Sequence, residues 1–184
     1  MKKTIGICFL LVVFGTDLFS QCDVSTHIGK HSTVYVAKEE TIFMNKDLEN
    51  GVLKYQMSII MMKDTNTAIP DYFMIDCKLF TSSYYGDNGI VPRRIAFYFG
   101  ELKAVGLIAL RQTQIENLPV GFSGQNYSYE ITSELLSLLK TNSLIGIQIL
   151  DTRTGKSLDF YPYKDMLKEQ VNCILAISST TNHN

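Results

Sequence analysis

Tryptophan is absent from this chain, and histidine occurs only at His27, His31 and His183. Residues 32 through 182 therefore hold no imidazole. A general base has to be held within hydrogen-bond reach of its substrate, which chain ends do poorly. This argues against a Ser-His-Asp or Cys-His site in the folded body and leaves catalysis to carboxylates, Lys or Tyr. The lack of tryptophan also takes away one common stacking platform for sugars. An excess of basic residues is missing too: 17 Lys and Arg stand against 18 Asp and Glu. Such a balance lacks the field that nucleic-acid binding needs, so no nucleic-acid partner is expected. Gly86-Asp87-Asn88-Gly89 and Gly121-Phe122-Ser123-Gly124 match neither a phosphate-binding loop nor a dinucleotide fingerprint. They read as turns, and no cofactor is expected. Only four prolines occur, and no repeat or low-complexity block divides the chain.

One hydrophobic run is present near the start. Lys2 and Lys3 precede the apolar stretch Ile5–Phe14, and Leu18-Phe19-Ser20 offers a small residue where a protease could cut. These are the parts of a secretory signal peptide, expected over residues 1–20. The run is too short to span a bilayer, which takes about 20 apolar residues, and no transmembrane segment is expected after cleavage. Removing residues 1–20 changes the formal charge from −1 to −2. The chain is thus expected outside the cytoplasm, periplasmic or secreted. Cys22 opens an alternative, because Leu18–Cys22 resembles a bacterial lipoprotein signal in which the cysteine is acylated. Gln21 departs from that pattern, since a small residue belongs there. Ordinary secretion and a lipid anchor at the cell envelope both stand at this point.

Cys22, Cys77 and Cys173 remain after the signal, and an exported context permits disulfides. Cys77 alternates with an apolar set, and Cys173 sits at the edge of an apolar helical stripe. A Cys77–Cys173 bond is therefore expected, with Cys22 free or lipidated. Cys22, His27 and His31 also space as C-x4-H-x3-H, but a fourth ligand is missing and Gly29 weakens a helix there. A plain N-terminal linker is the reading, with no metal.

The remaining length and an apolar fraction of 46% suit one globular domain, expected over residues 21–177, with 178–184 as a disordered polar tail. Alternation with period two predicts strands at Leu53–Met61, Phe73–Leu79 and Ile95–Phe99. A further strand is predicted around Lys103–Gln112, with others near Thr33–Ala37 and Tyr127–Ile131. Thr132 or Ser133 caps a predicted helix through Leu139. Ile145–Ile149 and Leu158–Phe160 then form a hairpin around Gly155, and a helix follows from Tyr163. The fold class predicted is α+β, with a mainly antiparallel sheet and two helices in the C-terminal third. A sandwich with helical appendages is the alternative. In hydrophobic spacing, Tyr127–Ile177 is similar to the C-terminal half of some small exported bacterial proteins, including the invasion-associated locus B family. The likeness carries no functional residue across.

For chemistry, Asp76 stands mid-strand beside Lys78, where a solvated sheet face is the expectation rather than half of a carboxylate pair. Tyrosine is the more suggestive residue. Tyr84, Tyr85, Tyr98, Tyr127 and Tyr129 cluster near strands and a Gly-rich loop, and exposed tyrosines offer stiff contact area with a polar tip. They are the candidate binding surface. The sequence thus favours an exported, non-enzymatic binding or structural domain for an unidentified protein or small ligand. Two alternatives remain: a histidine-free carboxylate hydrolase acting on sugars or cell-wall material, and a lipid-anchored envelope component.

Overall fold

In the computed structural model, residues 23–47, 51–65, 68–82, 91–100, 103–151, 154–162 and 165–180 are described. The strands are β1 (Val24–Ile28), β2 (Ser32–Ala37), β3 (Glu40–Asp47), β4 (Gly51–Asp64), β5 (Tyr72–Ser82) and β6 (Arg94–Phe99). They continue as β7 (Lys103–Ile108), β8 (Arg111–Gln114), β9 (Phe122–Glu130), β10 (Gly146–Asp151) and β11 (Lys156–Phe160). Helix α1 (Ser133–Thr141) lies between β9 and β10, and α2 (Met166–Thr180) closes the described chain. Cys22, Tyr84 and Tyr85, and the expected signal segment, lie outside the described residues.

The larger sheet runs β1-β2-β4-β5-β9-β8, with β3 also paired to β4, and the smaller runs β11-β10-β6-β7. Every pairing is antiparallel. The α+β class holds, with two helices set on mainly antiparallel sheet. Strict alternation sends Tyr55, Met57, Ile59 and Met61 of β4 and Ile75 and Cys77 of β5 into one core. Ile95, Phe97, Ile147 and Ile149 reach that core from the smaller sheet, and Leu135, Leu139, Leu167, Val171 and Ile174 from the helices. Phe43 and Tyr55 of the larger sheet meet Phe160 of the smaller in a tilted cluster of three rings. Centroids of Phe160 lie 5.3 Å from both partners, a spacing at which edge-to-face packing is favourable.

Helix α1 starts where the sequence says it should. Thr132 Oγ1 accepts from Leu135 N at 3.3 Å, Glu134 occupies the first turn and Lys140 the last. Gly155 adopts φ 67°, the left-handed conformation its hairpin turn requires.

Four expectations are corrected. The strand predicted around Lys103–Gln112 is two strands in different sheets. Ala109 N donates to Arg93 O in the smaller sheet, and Leu110 N to Ser128 O in the larger, so the chain changes sheet between those residues. The N-terminal segment with His27 is strand β1, not a linker, because its backbone pairs with β2 from Val24↔Ala37 to Ile28↔Thr33. Helix α2 continues past residue 177 to Thr180, with Ser178 buried, so residues 178–180 are not a loose tail. The Cys77–Cys173 bond does not form: Cys77 is a free, fully buried thiol. Its strand position faces it across from Met57 and Tyr127, whereas α2 lies over β2 and β4.

Gln170 shows how that helix is attached. Along one edge of β4, pairing with β3 ends at Met57 and pairing with β2 begins at Ile60. In the gap, Ile59 N donates to Gln170 Oε1 at 2.9 Å, while Gln170 Nε2 donates to Lys38 O at 2.9 Å. One buried carboxamide therefore replaces a missing strand and satisfies two backbone groups.

Candidate functional site

Two of the five tyrosines proposed as a surface are corrected outright. Tyr127 and Tyr129 are fully buried, among the largest buried side chains in the protein. They share the core face of β9, across from Cys77 and Ile75. The signal was in the sequence, since Asn126, Ser128 and Glu130 alternate with them on the other face. Tyr127 Oη donates to Gln125 Oε1 and Tyr129 Oη to Pro92 O, so both phenols keep a partner in the core. Burial pushes Tyr127 up to about 12, with Arg93 opposing and Cys77 and Asp151 adding to the rise. Burial likewise raises Tyr129 and the Cys77 thiol well above their ordinary ranges.

Tyr98 is different. It alternates with Phe97 and Phe99, which enter the core, and so lies on the outer face of the smaller sheet. On that face Tyr98 stands directly across from Gly146 of β10. Tyr161, just past β11, is 84% exposed and completes the row. A Cβ placed on Gly146 would lie 4.0 Å from Tyr98 Cδ2 and 4.0 Å from Tyr161 Cε1. Glycine thus floors a slot between two phenol rings. The slot opens into a cleft of about 340 Å³ lined also by Gly100, Ile145, Ile147, Asp159 and the strand at Phe160.

A polar row runs beside the slot. Tyr98 Oη donates to Gln148 Oε1 at 3.1 Å, and Gln148 Nε2 donates to Asp159 Oδ1 at 2.8 Å. Gln148 stands across from Ala96 on one side and Asp159 on the other, so strand register fixes the relay. On the inner side, Phe160 packs in the three-ring cluster. Residues flanking it in sequence, Asp159 and Tyr161, are thereby held outward. Among the described residues, the wall pairs tyrosine rings with one carboxylate, Asp159, at the rim, a combination that favours a cationic group with a flat or alkyl body.

Asp76 does not belong to this cleft. It lies on the outer face of the larger sheet, half-buried, where its Oδ2 accepts from Asn126 Nδ2 at 2.9 Å. Lys78 beside it pairs with Glu39 instead. Among the described residues, no group of three or more His, Cys, Asp or Glu side chains is placed to hold a metal ion. Nor is any described helix long and apolar enough to cross a membrane.

Comparison with protein-family models, with curated proteins and with solved structures finds no match for this chain.

Proposed function

We propose that this chain is an exported, non-enzymatic binding domain whose cleft on the smaller sheet takes a cationic, amphipathic group from a small ligand or a peptide. The observation that carries the reading is the Tyr98–Gly146–Tyr161 slot with Asp159 at its rim. Gly146 leaves the floor open, the two rings offer stacking surface, and the carboxylate gives the positive end a partner. Export is supported by the basic start and short apolar run of the sequence.

Chemical-shift titration with N-acetyl-arginine amide tests the site. Shifts are expected to concentrate on Tyr98, Gly146, Asp159 and Tyr161. Gly146→Val fills the slot and Asp159→Asn removes the charge, and each should weaken the response at least about tenfold, a loss of about 1.4 kcal/mol. Shifts scattered over the surface, or unchanged in both variants, would defeat the reading.

A further inference from the structure

We infer that β1 is a docking edge for a second copy of this chain, the two β1 strands pairing antiparallel about a twofold axis at Thr26. This is independent of the cleft, which lies on the other sheet.

Hydrogen bonds at the two ends of the β1–β2 hairpin set which way each backbone group points. Lys38 N donates to Asp23 O at 2.8 Å, and Gly29 N donates to Ser32 O at 2.8 Å. Bonded residues alternate along an antiparallel pair, so Asp23, Ser25, His27 and Gly29 turn their N–H and C=O toward β2. Val24, Thr26 and Ile28 turn theirs to the opposite side. Among the described residues, no strand pairs with that side. Ser25–Ile28 are exposed, Ile28 by 79%.

The described strands that pair on one side only are β1, β3, β7, β8 and β11. Charge or proline commonly guards such edges against recruiting another strand. Strands β3, β7, β8 and β11 each carry Lys, Arg, Asp or Glu. Strand β1, Val-Ser-Thr-His-Ile, carries none of these and no proline.

This open edge also complements itself. With Thr26 on the axis, Val24 lies across from Ile28 of the second copy, and Ser25 across from His27. The outward residues then meet one another, so every N–H and C=O on the open side of β1 finds a partner. On one face each exposed Ile28 gains Val24 of the other copy as a β-branched neighbour, and two threonines meet at the centre. Charge agrees as well. Antiparallel pairing sets the start of one strand against the end of the other, which brings exposed Lys30 beside exposed Asp23 of the second copy. A patch that meets its own copy closes as a dimer. A strand pair this short is small against the about 1,200 Å² of stable complexes, so association is weak, with Kd on the order of 100 µM.

The test is sedimentation of the full chain recovered from an exporting host. Between about 10 µM and about 1 mM the average mass should rise from near one chain toward two. Over the same range, amide exchange at Val24, Thr26 and Ile28 should slow about threefold or more, and at Ser25 and His27 less. Thr26→Pro removes an outward N–H and no bond to β2, and proline is tolerated on the open side of an edge strand. It should keep the circular dichroism of the fold and stay monomeric at the upper concentration. Ile28→Lys, at an exposed position, should weaken association at least about tenfold. A single-chain mass throughout, a dimer unaltered in both variants, masses beyond two chains, or slowed exchange away from β1 would each overturn the inference. If an added Thr-Val-Thr-Val-Thr peptide slowed the Thr26 amide while the chain stayed monomeric, the edge would serve foreign strands, and the inference would fail too.

Discussion

Tyr127 and Cys77 face each other across β9 and β5, both neutral and both fully buried. Burial disfavours the charged forms, thiolate and phenolate, and so raises both groups above their ordinary values of 9.0 and 10.0. The unfolded chain then releases its protons first as pH climbs. Stability from this pair is complete below about pH 9 and falls as pH rises through 10 toward about 12, the folded value of Tyr127. Urea midpoints measured at pH 8, 10 and 11 should fall in that order. Tyr127→Phe loses the bond to Gln125, costing about 1 kcal/mol at pH 8. The same variant should show a shallower alkaline fall, because one of the raised groups is gone. A slope equal to that of the unaltered protein would mean that Tyr127 does not titrate in the folded state as described.

Strands and helices here depend on a few side chains that finish what backbone pairing leaves undone, and Gln170 is the clearest. Replacing it with alanine leaves Ile59 N and Lys38 O without their shared partner at the break between β2 and β3. About 2–3 kcal/mol of stability should be lost. Amide exchange at Ile59 should accelerate more than at Ile75 beside it in β5, which a uniform loss of stability would not produce. This kind of contact also explains what the sequence could and could not show. Strands β4, β5, β6 and β10 were legible because one face is buried and alternation is strict. Strand β3 was not, since a bulge between Thr41 and Phe43 lets the adjacent Ile42 and Phe43 both pack against the core. Strand β1 was not, because its edge position leaves Ser25–Ile28 exposed and without a pattern. At the cleft, Tyr98 was legible as an outward residue. Gly146 and Asp159 were not, because only the pairing of β6, β10 and β11 sets them beside it.

The whole molecule is tied together by a core that no single stretch of sequence owns. The chain leaves the larger sheet after β5, builds β6 and β7 of the smaller, returns as β8 and β9, and goes back again through α1 to β10. Neither sheet is a continuous segment, so neither can keep its partners while the other unfolds. The Phe43–Tyr55–Phe160 cluster is the point at which this interleaving becomes packing, with two rings from one sheet and one from the other. Phe160→Ala should cost about 3–5 kcal/mol, the range for deleting a buried aromatic ring. Because the core is shared, that loss should appear as a shift of one transition rather than as a split into two. With no tryptophan to report, near-ultraviolet circular dichroism of the buried tyrosines follows the core and far-ultraviolet dichroism follows the strands. The two curves should coincide in urea, before and after the substitution. If the far-ultraviolet curve of the variant instead develops a plateau, the smaller sheet melts separately, and the cleft it carries is held by its own strands alone.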